Sequence, residues 1–133
     1  MTWVKLDVQG TLVKLLFHRR EDRGMELIPE TSRCVREGEV HELVTTDHED
    51  LSGGARVDRV GFLGFVRIDN AGVIDVGDLA LIGERSIGAV AGFDACHFPN
   101  HYNIIIESDR VHTATDLELM VGQQIRFVAR DRG

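Results

Sequence analysis

Apolar and polar positions alternate along most of the chain, and the alternation predicts strands from end to end. Val4, Leu6 and Val8 share one side of a period-two pattern, with Lys5, Asp7 and Gln9 on the other. Gly10 interrupts it, and Val13, Leu15 and Phe17 resume it, which fits a long strand bent at a glycine or a hairpin. The densely charged stretch 18–26 reads as an exposed turn. In 27–38, Thr31 or Ser32 is placed to cap one short helical turn that Gly38 closes. A strand is expected over 39–46, carrying Val40, Leu43 and Val44, followed by an acidic, glycine-containing surface loop at 47–58.

From Val57 onward both strand faces become apolar. Val60, Phe62, Val66 and Ile68 share one parity while Leu63 and Phe65 take the other, as in a strand that joins two packed layers or closes a barrel. Gly61 and Gly64 allow sharp coiling there. A turn at 70–72 separates this strand from short ones at 73–76 and 79–82, and small residues alternate through 87–93. Further strands are expected at 102–107 and 125–130, with a turn at 116–120. No window carries the periodicity of an amphipathic helix of ordinary length.

One weak echo runs inside the chain. Val76-Gly77 and Val121-Gly122 each open a strand whose apolar residues stand three and five positions beyond the glycine: Ala80 and Ile82, Ile125 and Phe127. The element resembles the turn-plus-strand unit of small bacterial six-stranded barrels. The expected fold is therefore a single all-β domain over 1–133. It is a compact β-barrel of about six to eight mostly antiparallel strands, with a two-sheet β-sandwich as the alternative.

Composition supports that class. Its 133 residues are enough for a core without staples, and 43% hydrophobic with 28% charged residues is ordinary globular usage. Fifteen Val and nine Ile against eight Ala favour pleated surfaces over helices. The formal net charge of −7 speaks against nucleic acid or an anionic membrane as a partner, and no apolar run approaches the length of a membrane span. The first residues show neither a basic stretch nor an apolar run of a secretory signal, so a cytoplasmic location is expected. Arginine outnumbers lysine thirteen to two, a bias that a GC-rich bacterial genome would produce and one that supplies planar donors for carboxylate or phosphate. Cys34 and Cys96 have no ligand-type spacing, and reduced thiols are the expectation.

Most nucleotide and hydrolase motifs fail. Gly83 and Gly88 have the gap of a phosphate loop, but Ala89-Val90 stand where Lys and Ser or Thr are needed. No G-x-S-x-G elbow or GxGxxG fingerprint is present. What stands apart is residues 92–103, where Asp94, His97, Asn100, His101 and Asn103 fall between two apolar strands. Pro99 makes this span a loop, so His97 and His101 lack the helical i, i+4 relation of zinc proteases. A loop can still converge both imidazoles. The expected catalytic set is His97 or His101 as general base with Asp94 to orient it, and the same three residues are the expected ligands of any divalent metal cofactor. Asn100 and Asn103 are expected to bind ligand or support those rings.

Glu39 and His41 share strand parity and could face one cavity, while Arg33 and Arg59 flank these strands as candidate anion-binding groups. Against all this stands the plain alternative that Asp, Asn and Pro in such loops serve turn geometry and that an alternating polar face serves water. Two functions follow as expectations. One is small-molecule binding or catalysis, of an anionic ligand, at the His/Asp/Asn loop. The other is a non-catalytic homo-oligomeric binding or assembly module, resting on apolar surface from Leu63 and Phe65.

Overall fold

The computed structural model describes residues 4–130. Its strands, in chain order, are β1 (Val8–Leu15), β2 (Arg19–Arg20), β3 (Met25–Glu26), β4 (Ser32–Val35), β5 (Val40–Thr46) and β6 (Arg56–Val57). They continue with β7 (Val60–Ile68), β8 (Gly72–Asp75), β9 (Leu79–Ile82), β10 (Arg85–Asp94), β11 (Asn103–Glu107) and β12 (Gln124–Val128). No helix occurs among the described residues, so none is there to cross a membrane. The chain is all-β, as its alternation predicts.

Seven strands form a hydrogen-bonded ring in the order β1-β12-β9-β10-β11-β5-β7, which closes through the β7–β1 pairing. Closure removes most free sheet edges and sets aside the two-sheet sandwich. Every pair in the ring is antiparallel except β11–β5, which is parallel. The short pairs β3–β6 and β4–β8 lie outside the ring, and β2 extends β7. The internal echo has a structural counterpart: β9 and β12 are ladder partners, and Gly77 and Gly122 open them with φ of +96° and +92°.

The helical turn expected within 31–38 does not form. Ser32–Val35 is β4, laddered against β8 with Ser32 opposite Asp75 and Val35 opposite Gly72. A partner strand satisfies this backbone over several rungs, whereas a lone helical turn would leave most of its end groups unpaired.

Two apolar cores divide the buried residues. The ring interior is filled by Leu12, Leu43, Leu63, Val66, Phe93, Ile104, Ile106 and Phe127 among others, with every ring strand contributing. A second core lies on the outer face of β5, β7, β10 and β11, where Met25, Leu27 and Val57 of the β3–β6 region cover Val44, Phe62, Ala91 and Ile105. This explains the two-sided apolar character of β7.

It also corrects the expected parity. Val60 and Phe62 face the outer core, but Val66 and Ile68 face the interior. A bulge accounts for the switch: Val44 pairs with Phe62 and Leu43 with Gly64, leaving Leu63 as the extra residue. Leu63 is fully buried in the ring, and Phe65 is half-buried and packs edge-on to His101.

Gly64 adopts φ +143°, and a Cβ there would stand 2.0 Å from the carbonyl oxygen of Lys14 on β1. The β1–β7 closure therefore runs through a position with no room for a side chain. Gly64→Ala is expected to lower unfolding free energy by roughly 2–4 kcal/mol, from backbone strain plus steric displacement. Urea unfolding measures this, and a loss below about 1 kcal/mol would mean that the closure tolerates a methyl group.

Candidate functional site

The parallel β5–β11 ladder builds the site. It sets Glu42 opposite Asn103 and Val44 opposite Ile105, and β10 sets Asp94 on the other side of Asn103. Residues two apart share a strand face, so Glu42 and Asn103 continue the outward row of Val44 and Ile105 beyond the edge of the outer core. The loop 95–102 joins β10 to β11 and carries both histidines over this row. Within it, the backbone N–H groups of Asn100 and His101 donate to the carbonyl of His97 at 2.9 and 3.3 Å. That tight turn, without a helix, brings the His97 and His101 rings to 5.1 Å between centroids. The convergence expected of the two imidazoles thus occurs.

Asp94 does not join them. Its Oδ2 accepts the Glu26 N–H at 2.9 Å, and its Oδ1 accepts the Cys96 N–H at 3.0 Å and the Asn103 amide at 3.2 Å. The carboxylate is buried and engaged in tying β10, β3 and the loop together. It is a structural anchor, and the expected third partner of the histidines is replaced by Glu42. Glu42 Oε1 lies 3.2 Å from His101 Nε2, and ligand atoms of Glu42, His97 and His101 all fall within 4.8 Å of one another.

Hydrogen bonds define the ring states. The Asn100 amide lies 2.9 Å from His101 Nδ1; with the amide as donor, Nε2–H points to Glu42. Arg23 Nη2 donates to His97 Nε2 at 3.2 Å, which requires an unprotonated nitrogen there. Asn103 is fully buried, and its Oδ1 has no hydrogen-bond donor. His97 is exposed, while Glu42 and His101 are buried.

Beyond His101 opens a pocket of about 510 Å³, walled by Arg33, Arg36, His41, Asn100, His101 and Tyr102 among others. Glu39 and His41 meet as their parity predicts, with Nε2 of His41 2.7 Å from Glu39 Oε1. The Tyr102 N–H donates to His41 Nδ1 at 3.1 Å, so both ring nitrogens are engaged. Burial pushes the His41 imidazole below its ordinary pKa, and the Glu39 hydrogen bond only partly offsets that. His41 is therefore a neutral wall of the pocket. Arg33 stacks over the Tyr102 ring at 4.0 Å and lies 3.9 Å from Glu39, yet its Nε is buried without an acceptor.

Arg59 is elsewhere. It pairs with Asp47 at 2.9 Å and lines a different cleft with Arg19 and His112. Cys96 is no activated nucleophile: burial and the adjacent Asp94 push its thiol up, against a weaker pull from Arg23. Sequence reasoning missed Glu42, Arg23, Arg36 and Tyr102. Glu42 was legible only as the residue facing away from His41, because its pairing with β11 spans some sixty positions.

The fold and this cluster define an all-β ring protein whose polar site lies on the outer rim, where a loop crosses a parallel ladder, instead of inside the ring. The chain belongs to DUF6917, a family of unknown function, whose match covers residues 2–128. No curated protein and no solved structure matches it.

Asp94 generates a test. Burial raises its carboxyl pKa, but hydrogen bonds from the Cys96 thiol and N–H, the Glu26 N–H and the Asn103 amide outweigh that and hold it below the usual range. A depressed folded value contributes stability above the ordinary carboxylate pKa of about 4, and that contribution is lost as pH falls through the folded value. Asp94→Asn is expected to cost about 1–3 kcal/mol at neutral pH, with the gap to wild type narrowing in acid. Denaturant unfolding at neutral and acid pH gives the comparison. A gap that stays constant would show that the charge on Asp94 contributes nothing.

Proposed function

We propose that this protein binds a small anionic molecule, a carboxylate or phosphate compound, in the pocket between β4, the start of β5 and the 95–102 loop. The observation that carries the reading is Arg33. Its guanidinium lies over the Tyr102 ring, Cζ 4.0 Å from the centroid, with Nε buried and no acceptor; a shift of this side chain toward the pocket it lines would let an oxyanion supply one. Arg36 lines the same pocket and makes no ion pair among the described residues. A cavity of about 510 Å³ is the size of a small-metabolite site. Neutral His41 and the Asn100 side chain line the wall without adding negative charge.

In this reading Arg33 and Arg36 hold the anion, Tyr102 keeps the Arg33 plane in place, and Glu39 limits how far that guanidinium can swing. Chemistry on the bound molecule, where it occurs, would fall to His101, which lines the pocket, with the His97 ring 5.1 Å behind it.

The test uses the full chain treated with chelator and titrated with inorganic phosphate and with citrate, read by thermal shift and calorimetry. Saturable stabilisation by at least one probe is expected, and Arg33→Gln or Arg36→Gln should weaken it by about tenfold or more, the worth of a charge-assisted contact. Arg59→Gln, remote from the pocket, should leave it unchanged. Absence of saturation with both probes, or equal binding in Arg33→Gln, overturns the reading.

A further inference from the structure

We infer that Glu42, His97 and His101 hold a divalent transition-metal ion, zinc in the first instance, at the rim of the ring beside the pocket. Two imidazoles and one carboxylate form a ligand set suited to zinc, iron(II) or manganese, and three protein ligands leave a position open for water or substrate. The geometry is close to what an ion requires. Ligand atoms on a tetrahedral zinc stand about 3.3 Å apart, given bonds of about 2 Å. Glu42 Oε1 and His101 Nε2 are already 3.2 Å apart, and the remaining separations do not exceed 4.8 Å. His97, the ligand that must close the gap, is on the exposed turn, whereas Glu42 and Asn103 are fixed on paired strands.

Charge points the same way. Glu42 is buried, and no lysine or arginine pairs with it among the described residues; its one ionisable partner is His101. A buried carboxylate needs a compensating cation. Asn103, the ladder partner of Glu42, leaves its buried Oδ1 without a donor, and water carried by an ion is one group that would fill that need. Asp94 is not in the set, because its lone pairs are occupied by Glu26, Cys96 and Asn103.

Metal binding would replace the proton between His101 Nε2 and Glu42. The imidazole proton then resides on Nδ1, which donates a hydrogen bond to the Asn100 side-chain oxygen once that amide is turned. Arg23 donates to His97 Nε2. It therefore either releases that nitrogen to the ion or stays while Nδ1 ligates, and in both cases it leaves a guanidinium beside the open position. The ion and the anion pocket share His101, but the metal assignment does not rest on the anion reading.

The experiment strips the full chain of metal and titrates it with cobalt(II) at neutral pH, followed by zinc. Saturation at one cobalt per chain is expected, with visible absorption of a low-coordinate site that zinc bleaches. His97→Ala, at an exposed position that spares folding, and Glu42→Gln should each weaken binding by more than about tenfold, since even outer-shell losses cost that much. Cys96→Ser should bind as wild type does. Circular dichroism confirms that each variant is folded. Absence of saturable binding in folded protein, wild-type affinity in either ligand variant, or loss of binding in Cys96→Ser overturns the assignment. Because the anion titration uses chelator-treated protein, failure of either reading is distinguishable from failure of the other.

Discussion

Everything in this fold depends on the register of one parallel ladder. β5 and β11 lie some sixty residues apart in sequence, yet each rung between them serves a different part of the molecule. Leu43 and Ile104 fill the ring interior, Val44 and Ile105 fill the outer core, and Glu42 and Asn103 form the polar row at the rim. A slip of one residue would exchange these faces, turning the Glu42 carboxylate into the interior and Leu43 outward. Burying an unpaired carboxylate among aliphatic side chains costs far more than a domain of this size has to spare. The two cores thus specify the position of the site residues, although neither core contains one.

The outer core has a second consequence. Because Met25, Leu27 and Val57 cover the outer face of β10, β11, β5 and β7, the row of polar residues beyond that cover begins where apolar shielding ends. Asp94 secures the boundary by accepting the Glu26 N–H, and the Ile28 N–H donates to the Phe93 carbonyl at 2.8 Å beside it. The β3 segment is thereby pinned to the strand that launches the histidine loop. Arg23, just before β3, reaches Cys96 and His97 as a result. Packing of a short outer strand and placement of a guanidinium at the site are one event.

Most strands were legible in the chain because period-two alternation is a local signal, and the 92–103 cluster stood out because its residue types are unlike those around it. What local pattern could not supply is pairing. Glu42 was readable only as opposite in parity to His41, and nothing near it in sequence points to His101. Thr31 and Ser32 look like helix caps until β8 provides a ladder for the backbone they precede. The parity of β7 misled for a related reason: the bulge at Leu63 has no mark in the alternation itself, and Gly64 is only a permissive sign. Arg59 flanks its strand as Arg33 does, but the ring carries them to different clefts.

Residue type also fails to distinguish polar groups that hold the fold together from those left over for ligands. Asp94, Asn103 and Arg33 look equally promising as sequence, and Glu42 does not stand out at all. Hydrogen-bond accounting separates them. Asp94 has its oxygens filled by groups that fold with it, so drawing it toward an ion would strand the Glu26 and Cys96 N–H groups. Arg33 Nε and Asn103 Oδ1 are buried with nothing assigned to them, and Glu42 has only an imidazole for its charge. In the proposed reading, a bound anion or ion would satisfy these groups. They gather where the 95–102 loop crosses the β5–β11 ladder, with rigid strands supplying Glu42 and Asn103 and an exposed turn supplying His97. The proposed site would use that division: groups fixed on paired strands set its geometry, and the exposed His97 supplies the last contact.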